Sequence, residues 1–223
     1  METKHVNTGE ALRFGWSAFK EKAGFLLLVM FVSSICILVP YGLSLAVISR
    51  SLLLGSLCML IYYVVAFVIS IGYMTIALKI VDGQQPELRD LWSHTQELGR
   101  FAAGVLLYML IVMGGLLLCI VPGIIWAFKY YFTPYLLVDK NMKPMEALRA
   151  SAQMTDGIKF DLFKLLFVVG LVAMLGYLFL FVGIFVTIPI AILAIAYTYR
   201  SLDKQVHGGA STPTIPTTPE ILE

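Results

Sequence analysis

Residues 160–199 form an apolar run of 40 residues whose only charges, Asp161 and Lys164, fall in its first turns. As one straight helix this run would be about 60 Å long, twice the roughly 30 Å of hydrocarbon in a bilayer. A chain with such a run has to cross a membrane and come back. The sequence predicts two crossings here, 160–182 and 184–200, with the turn between Gly183 and Pro189.

The rest of the chain repeats the pattern. Apolar segments cover 24–47, 52–78 and 101–121, with Ser49-Arg50-Ser51 as the polar break between the first two. A fourth, 122–138, is long enough to cross only if Pro122-Gly123 opens it and Asp139 closes it. Charged residues make up 13% of the 223 residues, against about 25% in water-soluble domains. The deficit is spread along the chain, which predicts one membrane domain over 1–205, all-α, with six transmembrane helices. Of the 16 Lys and Arg residues, 14 fall in alternate connections, Arg50 falls alone on the other side, and Lys129 lies within a segment. Basic loops stay in the cytoplasm, so both ends are expected there, in the cytoplasmic membrane of a bacterium. Residues 1–23 lack the short apolar core of a cleavable signal.

Three amphipathic stretches, 8–22, 86–98 and 144–156, are expected to be short helices at the membrane interface. The first starts at Asn7, an N-cap, and places Leu12, Trp16, Phe19 and Ala23 on one face. Pro86 and Pro144 suit helix starts, and Gly157 suits a stop. Glu10-Ala11-Leu12-Arg13, Glu87-Leu88-Arg89 and Glu146-Ala147-Leu148-Arg149 open these stretches, and each leads through a span to Pro40, Pro122 or Pro189. The spacing predicts a loose threefold helix–hairpin repeat; its alternative is chance likeness among Leu-rich helices. The Pro/Thr-rich tail, 206–223, cannot form a core and is expected to be disordered.

Lys129 is the ionisable residue deepest in a span, where a charge costs ~2.5–3.5 kcal/mol on insertion scales. It is a candidate contact for an anionic ligand or lipid head group, with Trp126 and Tyr130 beside it. The alternatives are a snorkelling side chain, or one paired with carbonyls freed by Pro122 or Pro134. No H-E-x-x-H, G-x-S-x-G, P-loop or dinucleotide fingerprint occurs. No catalytic residues, cofactor or metal are therefore expected. Cys36, Cys58 and Cys119 read as small apolar thiols, a Cys36–Cys119 disulfide being the alternative. The mixed charge of the amphipathic stretches gives no basis for nucleic-acid binding.

The stretch Val121-Pro122-Gly123-Ile124, Lys129, Pro134, Val138-Asp139, Pro144, Glu146-Ala147-Leu148, Ser151, Thr155 and Gly157 resembles a group of six-span bacterial membrane proteins. These are related to the membrane domain of glycerophosphoryl diester phosphodiesterases. Gly72, Asp82-Gly83 and Pro86 to Leu91-Trp92 extend the resemblance. A fused phosphodiesterase barrel needs some 250 residues, which these 223 cannot hold, so the resemblance implies a membrane part without the catalytic domain. The expected function is a non-enzymatic integral membrane protein with an envelope or accessory role, whose partners are the lipid bilayer and a lipid or small-molecule ligand. The alternative is a small transporter or channel for an anionic or lipid-like substrate, using Lys129 and proline-broken helices.

Overall fold

The computed structural model describes residues 5–93, 97–178 and 183–207, and among them every regular element is helical. The tail beyond 207 lies outside the described residues. The elements are α1 (Thr8–Ile48), α2 (Leu52–Val81), a 3-10 turn (Leu88–Trp92), α3 (Leu98–Leu118), α4 (Ile120–Lys129), α5 (Thr133–Asp139), α6 (Pro144–Met154), α7 (Lys159–Leu178) and α8 (Ile184–His207). Four helices, α1, α2, α3 and α8, are long and apolar enough to cross a membrane. α7 has 20 residues but carries Lys159, Asp161 and Lys164 in its first two turns.

α1 joins the amphipathic stretch 8–22 to the first apolar segment in a single 41-residue helix. Asn7 caps it, its side chain accepting from the Gly9 and Glu10 N–H groups at 3.1 and 3.2 Å. Helical dihedrals fail only at Lys22, with φ −114° and ψ 23°. That break separates the half-polar arm from the apolar helix, and Lys22 turns out to Gln85 at 3.2 Å. The arm packs on α8: Phe14 stacks on Tyr197 at 4.7 Å, and the His5 N–H donates to Gln205 Oε1 at 3.1 Å. The start of α1 and the end of α8 therefore lie together.

Several expected boundaries move, each for a local reason. The stretch 86–98 is not one amphipathic helix. Its described part is the 3-10 turn Leu88–Trp92, and α3 begins at Leu98. Asp90 breaks the pattern by turning inward: one oxygen accepts from the Glu87 N–H at 2.8 Å and the other pairs with Lys79 at 2.7 Å. Leu91 lies against the bare backbone of Gly72, where a Cβ would come within 2.5 Å of its Cα. The segment 122–138 is likewise not one helix but α4 and α5, parted at 130–132. The turn between α3 and α4 is Cys119, with φ −169° and ψ 153°. Pro122 and Gly123 sit inside the first turn of α4, where proline's missing N–H has no helical partner to lose. Of the turn expected between Gly183 and Pro189, Gly183 precedes α8 and the residues from Ile184 on are helical; residues 179–182 lie outside those described. α8 runs through Pro189, and α1 through Pro40. Pro134 does start a helix, in the first turn of α5. All three cysteines are free.

α4 and α5 together run back along α3. Gly115 faces Gly123 with no room for a Cβ, Tyr108 Oη donates to the Ala127 carbonyl at 3.3 Å, and Gly104 meets Leu137. The core gathers toward one end of the molecule. There the arm of α1, the last turns of α2, α5, α6 and the later turns of α8 bury Phe14, Ile76, Leu91, Phe132, Leu136, Met154 and Tyr199. Toward the Ser49 and Cys119 turns the helices expose long runs of apolar side chains, with Leu52 75% and Leu117 86% exposed. Such a surface suits hydrocarbon, and the chain is a membrane protein whose environment is a lipid bilayer.

Candidate functional site

The last residues of two helices meet the side of a third. Asp82 follows the end of α2 and Asp139 ends α5, so both carboxylates sit where unpaired carbonyls already concentrate negative charge. That placement is unfavourable unless a cation answers it. Arg200 of α8 does so. Its Nε and Nη2 donate to the two oxygens of Asp82 at 2.9 and 2.7 Å, and its Nη1 donates to Asp139 Oδ2 at 2.7 Å. Tyr199 Oη donates to the same Asp139 oxygen at 2.7 Å. The three charged side chains are only 13–18% exposed. The planar guanidinium suits this bidentate grip, for which lysine has no equivalent geometry.

Two ion pairs surround the cluster. Lys140, after α5, pairs with Asp203 of α8. Lys79, in the last turn of α2, pairs with Asp90. Burial pushes the Asp90 carboxyl up, but the Glu87 N–H, Lys79 and Arg89 outweigh it and hold Asp90 below the usual carboxylate range. A cavity of about 230 Å³ opens beside the cluster, lined by Thr75, Lys79, Asp82, Gln84, Asp139 and Arg200 among others. A second of about 230 Å³ lies under the α1 arm, with His5, Asn7, Glu10, Tyr197, Ser201 and Gln205 in its wall. Chemically the first site is a closed set of charge pairs: Asp82 and Asp139 are both committed to Arg200. Among the described residues no group of three His, Cys, Asp or Glu could hold a metal ion.

The sequence candidates separate into two places. Lys129 ends α4 with its Nζ 5.5 Å from the Tyr130 ring centroid. Trp126 turns away from them into the α3–α4 seam, against Gly115. The backbone break after Lys129 is held by α6. The Lys129 carbonyl accepts from Ser151 Oγ at 3.2 Å and from Thr155 Oγ1 at 2.9 Å, and Ser151 Oγ accepts from the Phe132 N–H at 3.1 Å. The buried hydroxyl of Ser151 thus bridges both sides of the break, and irregular backbone survives because it is enclosed in protein. Pro122 and Gly123 shape the start of α4, and Pro134 starts α5. Glu146 accepts from the Lys143 N–H at 3.3 Å, and Gly157 takes a φ of +84° after α6. Of these candidates only Asp139 belongs to the charge cluster.

The sequence does not bring Asp82, Tyr199 and Arg200 together, and Asp82 enters it only through the resemblance. In the sequence Arg200 counts only toward orientation, as one more basic residue at the end of an apolar run. The signal available was an arginine at the end of one apolar run and an aspartate at the end of two others, three charges that face each other if those ends share a level.

No family model and no solved structure matches the chain. It is similar to a protein of Mycobacterium bovis described as uncharacterised, 35% identical over 133 residues, which is 59% of this chain and 40% of that one. Two Mycobacterium tuberculosis proteins, also described as uncharacterised, match at 35% over 133 residues and 33% over 132. In each case the matched region spans about 40% of the relative's length.

Proposed function

We propose that the chain is a non-enzymatic integral membrane protein of the bacterial cytoplasmic membrane with a lipid-interacting accessory role in the envelope. The observation that carries this is the close apolar packing of α1, α2 and α8: the hollow between them, lined by Leu26, Met30, Tyr73, Ile76, Pro189 and Leu193, holds only about 10 Å³. A route for a solute would need a wetted path there. Six crossings and cytoplasmic ends belong to the same reading. They are supported by the return of α4 and α5 along α3, by the contact of His5 with Gln205, and by the meeting of Asp82, Asp139 and Arg200 away from the Arg50 turn. The kinship with the membrane domain of glycerophosphoryl diester phosphodiesterases is part of the proposal, carried by the Val121–Gly157 motif residues.

The rival reading, a small transporter, draws on the cavity of about 230 Å³ beside Arg200. Unbiased lipid and metabolite analysis of the purified protein separates the two. Co-purifying lipid alone supports the accessory role, whereas a stoichiometric water-soluble anion favours transport. In a cysteine-free background, a cysteine at Ser49 labels with an impermeant thiol reagent in intact cells and one at Gln84 does not. Labelling at Gln84 overturns the orientation.

A further inference from the structure

The geometry points to a head-group site for an anionic glycerophospholipid on the outer seam between α4 and α7. Phe128 of α4 meets Phe163 of α7 edge to face, with centroids 5.8 Å apart and planes at 80°. Along α7, Phe160, Phe163 and Phe167 stack in succession at 6.4 and 6.0 Å. These three rings are 69%, 45% and 56% exposed, so the strip faces outward.

Two lysines directly follow the residues that meet across the seam, Phe128 and Phe163, each with its ammonium over a ring: Lys164 Nζ lies 4.5 Å from the Phe160 centroid and Lys129 Nζ 5.5 Å from that of Tyr130. The Lys129 carbonyl is already satisfied by Ser151 and Thr155, so the residue's backbone is fixed, and its half-buried side chain lies over the Tyr130 ring. Among the described residues Lys129 makes no ion pair. Lys164 shares its charge with Asp161 at 3.5 Å, and Lys159 lies 4.0 Å from Asp156. Lys129 therefore offers the less compensated charge.

An apolar strip that carries two ammonium groups is complementary to an amphiphile with the opposite build, an acyl chain ending in a phosphate monoanion. The rings take the chain, and the lysines take the phosphate oxygens as point charges. A zwitterionic head group brings its own cation to the same place and gains less. The site rests on the membrane-protein reading proposed above, and it gives that reading a ligand class.

The test uses the full chain in bilayers of equal parts phosphatidylglycerol and phosphatidylcholine, followed by native mass spectrometry of the lipid retained on extraction. The wild type is expected to retain phosphatidylglycerol in preference. Lys129→Met with Lys164→Met is expected to lower that preference by about fivefold per lysine, the usual worth of a basic residue near an anionic surface. Lys129→Arg with Lys164→Arg should keep it. Equal retention of the two lipids by the wild type overturns the site. So does a double Met variant that keeps both its helicity and the preference. If the Met variant loses helicity, the wild-type preference and a Phe163→Ser variant, which opens the strip and spares both charges, decide the matter: the site requires that Phe163→Ser retain less lipid. Alkaline carbonate extraction keeps the two failures apart. Release of the wild type from membranes sinks the membrane reading, whereas a retained protein without head-group preference sinks only the site.

Discussion

The end of the molecule where Arg200 sits and the end at the Ser49 and Cys119 turns solve the same problem, burying helices, by different means. At the first end the apolar side chains face one another, with Leu136 and Tyr199 fully buried, and charges are matched in named pairs. At the second, Leu52, Leu117 and Leu118 are 73–86% exposed, and the helices touch mainly through glycines such as Gly115 and Gly123. In water each fully buried Leu would gain about 1.5–3 kcal/mol, so leaving so many out would be ruinous. Against lipid tails that drive disappears, and close backbone approach and van der Waals packing hold helices together instead. The difference teaches that stability in this chain is unevenly distributed. It is concentrated in specific contacts at one end and delegated to the solvent at the other.

The largest effect is expected where that concentration is greatest. Arg200→Met removes the cation that grips two partly buried carboxylates at helix ends, and breaking a buried charge pair costs about 3–5 kcal/mol. A thermal midpoint in detergent that stays within error of wild type would break the comparison at its centre.

A matched pair of glycine substitutions contrasts a closely packed backbone with an open one. At Gly72 a Cβ would lie 2.5 Å from the Leu91 Cα and 2.6 Å from its carbonyl oxygen. Backbone cannot swing aside, so Gly72→Ala is expected to lose about 1–3 kcal/mol, toward the upper end. At Gly170 nothing lies within 4 Å, and Gly170→Ala should be neutral or gain up to about 1 kcal/mol from helix propensity. Equal thermal shifts for the two would show that α7 at Gly170 is packed as tightly as α2 at Gly72.

The smallest effect concerns acid. Asp90 is held below its unfolded carboxylate value, so its contribution is present above about pH 4 and fades as pH falls through the lower folded value. The stability gap between wild type and Asp90→Asn should therefore narrow on acidification below about pH 4. A gap that widens there would reverse the sign.

The legible parts of the fold were those set by composition and length. A run of 40 residues with two charges predicts a membrane chain because hydrocarbon tolerates little else, and Asn7 predicts a cap because its side chain answers orphan N–H groups two and three residues away. The surface stretch 86–98 failed because its period said amphipathic helix while Asp90 was taken inward by Lys79, eleven residues back and on another helix. The 122–138 segment failed for a similar reason. Its apolar sequence allows one continuous helix, and Ser151 of α6 with Thr155 just after it answers the Lys129 carbonyl and the Phe132 N–H at the break.

The sequence by itself determined the helical class, the membrane environment and the uneven distribution of charge, because these depend on what each residue is and on its nearest neighbours in the chain. The tertiary structure decided which charges meet. Asp82, Asp139 and Arg200 are separated by 57 and 61 residues and join only when the ends of α2 and α5 arrive beside the same turn of α8. The same holds for the seam between α4 and α7, where Phe128 and Phe163, the residues just before Lys129 and Lys164, meet ring to ring. Helix periodicity and hydropathy are local quantities, whereas the pairing of helix ends depends on distances through space that no window along the chain contains.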